Sequence, residues 1–466
     1  MHGVKFFTGA AVSVLLTALA GPTPALADTI EAALVRAYQN NPQLNAQRAQ
    51  VRSTDENVPQ ALSGYRPKVN VTLGTGYQYQ EIQAQQNTPP PALQSINGVL
   101  QPNSASLTVN QTLYNGNQTA NKTRAAESQV SGAREALRVL EQTVLLQAAT
   151  TYMDYLRDSA TLEVQRSNVR VLEQTLKQTR DRFNVGEVTR TDVAQSEAQL
   201  AAGKTQALTA ESNLTTTRAN FRRIIGNEPA NLAPGSPVDR FLPISIASAV
   251  NLSLVENPSV TAAMYGIDVN YLQVKINEGA LLPTVTVQAG VSTAYQQTLS
   301  VFRTNTASAI ATASIPIFQG GAEYALIRQS KENLAQQRLN LETTRDQTRA
   351  NVVQAWGQLE AGKAQVQSAQ AQVTASEIAL NGVREEAKAG QRTTLDVLNA
   401  QQALVNARVA LVTAQHDRVV ASYSVLNAVG RLAPQVLGLN TTVYDPSVHY
   451  QQIRDSWAGV RTPDGR

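Results

Sequence analysis

Two aspartates stand at equivalent places in two copies of one pattern. Gly186, Thr189, Asp192, Val193 and Leu200 match Gly390, Thr393, Asp396, Val397 and Leu404 at a constant offset of 204. Thr191 sits beside the first Asp, and Arg392 lies in the second copy's glycine turn. A carboxylate at a helix start caps backbone N–H groups and complements the helix dipole. The same Asp-bearing turn recurring in both halves would also suit a rim or an entrance built from pseudo-equivalent pieces. Both uses are open for Asp192 and Asp396, and Arg392 can simply be a solvated turn residue. Catalysis finds no support. The three histidines, His2, His416 and His449, are scattered without metal-ligand spacing, and there are no cysteines. Gly320-Gly321 and Gly74-x-Gly76 flank strand-like runs without a phosphate-loop pattern. We expect neither an enzyme nor a cofactor.

The elements that must position these residues are long. Each pattern lies between Ala/Gln/Leu-rich helical stretches, where a Gly ends one helix and a Thr or Asp begins the next, so both read as turns of helical hairpins. Upstream of the first, Val130, Ala133, Leu137, Leu140, Val144, Ala148, Tyr152, Tyr155, Ser159 and Leu162 step by threes and fours. No proline interrupts Gly116 to Gly186. A continuous helix there would be roughly 100 Å long. Its narrow apolar stripe suits packing of helix on helix.

The period changes to two between Val69 and Tyr79, where Val69, Val71, Leu73, Tyr77 and Tyr79 alternate with Asn70, Thr72, Gly74, Gly76 and Gln78. A second alternating run spans Ala105, Leu107, Val109 and Leu113. Between them, Gln85 to Pro102 carries Pro89, Pro90 and Pro91 and is expected to be a long exposed loop. The plan then recurs. Asn41-Pro42 answers to Asn257-Pro258 at an offset of 216, and Tyr152 to Trp356 at an offset of 204. The second half has its own strands around Val285 to Val291 and Ala307 to Ile317. The expected organisation is a signal peptide over 1–27, a first repeat over 28–235, a second over 236–433 and a tail over 434–466. Within the repeats, strands are expected near 66–80, 104–114, 283–296 and 304–318, and helices near 117–185, 190–226, 320–389 and 393–430.

The first residues read as a targeting signal: Lys5, the apolar run Phe6 to Ala20, and Ala25-Leu26-Ala27 before Asp28. The formal net charge of +4 is no nucleic-acid signature. No later segment is apolar enough for a spanning helix, which leaves β-strands as the way into a bilayer. Four strands cannot close a barrel and an open edge cannot sit in lipid, so the chain must oligomerise, two copies giving eight strands and three giving twelve. Tyr77, Tyr79, Tyr295 and Phe318 fit an aromatic girdle at a membrane interface, and would serve equally as core of a soluble β-sandwich.

In this order the features resemble the TolC family of outer-membrane efflux and type I secretion channels. The segments that carry the resemblance are Arg182-Phe183-Asn184-Val185-Gly186 with Thr191-Asp192-Val193, Gly390 with Arg392, Leu395-Asp396-Val397-Leu398, Ala400 to Leu404, and Gly320-Gly321. The resemblance implies an α+β chain of long helices and four strands in two repeats. It implies a homotrimer with a twelve-stranded barrel in outer-membrane lipid and a helical tunnel through the periplasm. The implied partners are a periplasmic adaptor and an inner-membrane ABC or RND-type transporter. It also implies a gate at the periplasmic tip, with Asp396 facing the pore and Arg392 linked to Thr191 and Asp192. Two positions depart from the family. Asn399 stands where a second pore-facing Asp is usual, and Ala387 where a Tyr latch is usual. The alternative is a secreted periplasmic helical-hairpin adaptor, which would not place strand pairs symmetrically between two helical hairpins.

Overall fold

The computed structural model describes residues 28–86, 92–463 and 465. The expected signal segment and Pro89 to Pro91 lie outside them. The described residues open with α1 (Ile30–Asn40), α2 (Pro42–Asp55) and α3 (Asn57–Leu62). The strands β1 (Lys68–Thr75), β2 (Gln78–Gln86), β3 (Ala92–Leu100) and β4 (Asn103–Asn115) follow. Then come the hairpin of α4 (Gln118–Asn184) and α5 (Arg190–Ile225), the helices α6 (Ile246–Glu256) and α7 (Pro258–Gly279), and the strands β5 (Thr284–Thr298) and β6 (Val301–Ser314). The second hairpin is α8 (Ala322–Lys388) and α9 (Thr394–Val429), and the tail carries α10 (Pro434–Leu437) and α11 (Ser447–Ile453).

Local chemistry sets the boundaries. Asn41 ends α1 and caps α2, its side-chain oxygen accepting from the N–H groups of Gln43 and Leu44 while Pro42 takes the first helical position. Asn257 and Pro258 do the same for α7. With no internal proline, α4 and α8 each run unbroken for 67 residues, which is about 100 Å. Both return helices end on a glycine at positive φ, Gly226 at 96° and Gly430 at 92°. Gly430 is also fixed by space, because a Cβ there would come within 2.6 Å of Asn257 Cα.

Strands β1, β4, β5 and β6 form one antiparallel sheet in that order. Its register sets Val71, Leu107, Val291 and Ala307 side by side, and Val69, Val109, Ala289 and Ala309 in the next row. The interleaved rows are polar: Thr72, Ser106, Ser292 and Thr306, for example, share the opposite face. The sheet therefore has an apolar side and a hydrophilic side, as the period-two pattern requires. A bulge between Thr112 and Tyr114 releases Leu113 from the ladder. The outer edges of β1 and β6 pair with no strand among the described residues.

One expectation is overturned. The stretch read as a long loop is mostly a ribbon, β2 pairing with β3 from Gln78↔Leu100 to Gln86↔Ala92. Its prolines fall in 87–91 and at Pro102, so none occupies a ribbon position. Ile82 opposite Ile96 and Tyr79 opposite Val99 supply cross-strand pairs that a Gln-rich composition masks. Tyr79 accordingly belongs to the ribbon and not to β1.

The main core lies where the hairpin stems meet α1 and α2. Tyr38, Tyr152, Tyr423, Phe221, Leu145 and Leu426 are fully buried there. Tyr152 Oη sits 2.7 Å from the carbonyl oxygens of both Asp28 and Ala233, pinning the segment before α1 and the inter-repeat connector to α4. The tail straps back over the first repeat. His449 Nδ1 lies 3.0 Å from the buried Asp55 carboxylate, and Arg66 stacks over Trp457.

Candidate functional site

The hairpin tips are built alike. Gly186 takes φ 80° and Gly390 φ 76°. Glu187 N–H closes back on Arg182 O and Gln391 N–H on Glu386 O, each at 2.9 Å. The next helix opens with a capping box. Thr189 N–H and Oγ1 donate to Asp192 Oδ2 at 2.9 and 2.7 Å, and Asp192 N–H donates to Thr189 Oγ1 at 3.3 Å. Thr393 and Asp396 repeat this at 2.9, 2.8 and 3.2 Å. These bonds hold both carboxyls below their ordinary range, the Thr189 hydroxyl leading for Asp192 and the Thr393 backbone N–H for Asp396. At each box the two bonds that the carboxylate accepts fall on Oδ2.

The capping role of both aspartates is thus met in full, and it fixes two negative charges at the very ends of the hairpins. Arg392 does not reach Asp192 or Thr191 within the chain. Its Nε donates to Glu386 Oε2 at 2.8 Å across the turn, and it also feels the Asp396 charge. Thr191 and Asn399 are exposed, Asn399 one turn beyond Asp396 on α9. Glu386 was missed by sequence reading, because a partner six residues upstream becomes visible only once the turn is closed. The first tip has its own version, Arg182 Nε to Glu187 Oε2 at 3.0 Å.

Above the tips the hairpins pack side by side through amides. Gln199 Nε2 donates to Gln402 Oε1 at 3.1 Å, Gln401 Nε2 to Asn168 Oδ1 at 3.2 Å, and Arg384 Nη2 to Gln401 Oε1 at 3.0 Å. A cavity of about 410 Å³ lies between the stems, lined by Thr175, Thr179, Arg182, Arg384 and Ala387 among others. The Gln-rich composition therefore serves a hydrogen-bonded helix-to-helix interface. At the other end of the molecule Tyr77, Tyr79 and Phe318 are exposed. Tyr295 meets Phe302 edge-on at 6.1 Å with Arg303 over its ring. Phe302, unnoticed in the sequence, joins Tyr295 and Tyr77 at the sheet end away from the helices, while Phe318 follows β6 at the helical end. Among the described residues no cluster could hold a metal ion, and no helix is long and apolar enough to cross a membrane.

An edge-open antiparallel sheet with one apolar face, standing on two helical hairpins about 100 Å long, defines a chain that can enter a bilayer by sharing a β-barrel with other copies and that carries a long helical stem. The chain belongs to the outer membrane efflux protein family, whose pattern matches residues 33–227 and 249–431, one span in each half. It is 40% identical to the outer membrane efflux protein BepC of Brucella suis biovar 1, over 99% of this chain and 98% of that one. It is 25% identical to the outer membrane protein TolC of Escherichia coli K12, over 89% and 85%. Among solved structures, the CmeC outer membrane channel of Campylobacter jejuni superposes with a TM-score of 0.76 at 16% identity, covering 91% of this chain and 89% of that one. The chain is therefore an outer-membrane efflux protein, and the reading as a periplasmic adaptor falls away.

Proposed function

We propose that three copies close one twelve-stranded barrel in the outer membrane and one helical duct below it, passing solutes or polypeptides from a periplasm-spanning complex to the exterior. The observation that carries this is the four-stranded sheet with unpaired edges at β1 and β6 and an apolar face on which Val69, Val71 and Leu73 are 60 to 76% exposed. Such a surface is stable only when lipid covers the face and another copy covers the edges. Tyr77, Tyr79, Tyr295 and Phe318 then take the interfacial positions.

The tips would form the periplasmic gate, with Asp396 and Asn399 from α9 around the axis. Arg392 would be shared between Glu386 and the Thr191–Asp192 corner of a neighbouring hairpin, which its five N–H donors allow. A periplasmic adaptor and an inner-membrane ABC or RND-type transporter complete the pathway. Relatives fall on both sides of the substrate question, since AprF of Pseudomonas aeruginosa is named for alkaline protease secretion and BepC for efflux. The 40% identity over nearly the whole of BepC favours efflux. Native mass spectrometry in mild detergent should return three mature chains per particle. A spectrum holding only monomer overturns the assembly.

A further inference from the structure

About 30 Å up α9 from the second tip, His416 is 7% exposed and lies between two carboxylates. Its Nε2 is 2.9 Å from Asp154 Oδ1 on α4, and its Nδ1 is 2.8 Å from Asp417 Oδ1 on its own helix. We propose that His416 is a proton-controlled latch between the two hairpins, its imidazolium tying α9 to α4 and its neutral ring letting them slip. The proposal rests on the duct reading above.

The argument is one of donors and acceptors. A neutral imidazole has one N–H and one lone pair, whereas an imidazolium has two N–H groups. With a carboxylate at each nitrogen, both contacts are hydrogen bonds only when the ring is charged. Deprotonation turns one of them into a lone pair facing a carboxylate oxygen, and if the lost proton is that of Nε2 the bond between hairpins goes with it.

The surroundings add to this. From α4 the ring faces Asp154 and Arg157, and Arg157 is itself held by Asp154 and Asp158 at 2.9 Å each. Asp158 accepts from Thr217 Oγ1 on α5. On α9, Arg418 turns away to Asp239 of the connector between repeats. A chain of polar contacts thus runs from α5 through α4 to α9, and His416 is its one link that changes charge near neutral pH. Burial and Arg157 oppose the charged ring. The hydrogen bonds to Asp154 and Asp417 outweigh them, and the His416 pKa is raised above its ordinary 6.5. A raised folded value means the latch is fully made below pH 6.5 and is lost as the pH climbs through the folded pKa.

The test uses the assembled protein in planar bilayers, scanned from about pH 5 to 9. Wild type should show a rise in open probability of about tenfold, lying above pH 6.5, as the latch releases. His416→Gln should be as open at low pH as wild type is at high pH and should lose the step. Asp417→Asn, at a half-exposed residue, keeps the α4 contact but removes one carboxylate, and should move the step to lower pH. Histidine-selective NMR reads the same titration independently of conduction, since only His416 and His449 lie beyond the leader segment. A flat wild-type profile, a step that survives in His416→Gln, or a ring that titrates below pH 6.5 overturns the latch. The channel assignment is untouched by those results and fails only if no pores form.

Discussion

Asp396 carries two jobs on one carboxylate, since the oxygen that caps α9 is the one that keeps the group ionised. Its depressed folded pKa contributes to tip stability above the ordinary carboxylate value of 3.8, and that contribution is lost as the pH falls through the folded value. Acid should therefore loosen the tips only below about pH 4, well separated from any step set by His416. In the proposed threefold ring these charges would repel, so closure would have to come from other contacts. Arg392, bonded to Glu386 and free to donate further, is the candidate. We expect Arg392→Ser to raise single-channel conductance severalfold and to sensitise cells to large antibiotics. Asp396→Asn should leave closure intact while weakening block by multivalent cations entering from the periplasmic side. With expression and trimer content matched, unchanged conductance in Arg392→Ser would remove this residue from the gate.

Among the elements, the helices were legible in the sequence and the ribbon was not, for a physical reason. A period of 3.6 sustained over 67 residues without proline leaves α4 no competing structure. The sheet strands declared themselves because one face is apolar and the other polar. Strands β2 and β3 rise above the end of the sheet, where neither face is sorted by a core or by lipid, and period two is blurred by Gln80, Gln83, Gln85 and Gln94. His416 failed to stand out for a related reason: its partner Asp154 is remote in sequence and meets it only when the hairpins pack. The ribbon is rooted on the sheet by Gln101 N–H donating to Gln296 Oε1 and Leu299 N–H to Gln80 Oε1. It continues β1 at the end away from the helices, which puts it outside the cell in the proposed duct. An epitope tag inserted between β2 and β3 should bind antibody on intact cells. Binding only after the outer membrane is permeabilised would reverse the chain's orientation.

For the whole molecule the decisive property is that the sheet's two open edges belong to strands that cannot meet within one chain. Between β1 and β6 lie β4 and β5. At about 4.8 Å per strand the edges are roughly 14 Å apart, twice the roughly 7 Å between Cα atoms that a disulfide can span. The natural chain has no cysteine, so a pair introduced at these edges has nothing else to react with. Asn70 on β1 shares the polar face with Thr304, Thr306, Ser308 and Ile310 on β6. Combining Asn70→Cys with Cys at each of those four positions in turn scans the unknown register across the seam. A register slip by one residue would flip the partner to the lipid face, so only even steps need be sampled. Oxidation should give one or two pairings that lock every seam and run as a covalent trimer under denaturing conditions. A ladder that stops at covalent dimers would mean that eight strands close the barrel, and no crosslink at any position would mean that β1 and β6 are not neighbours in the assembled protein.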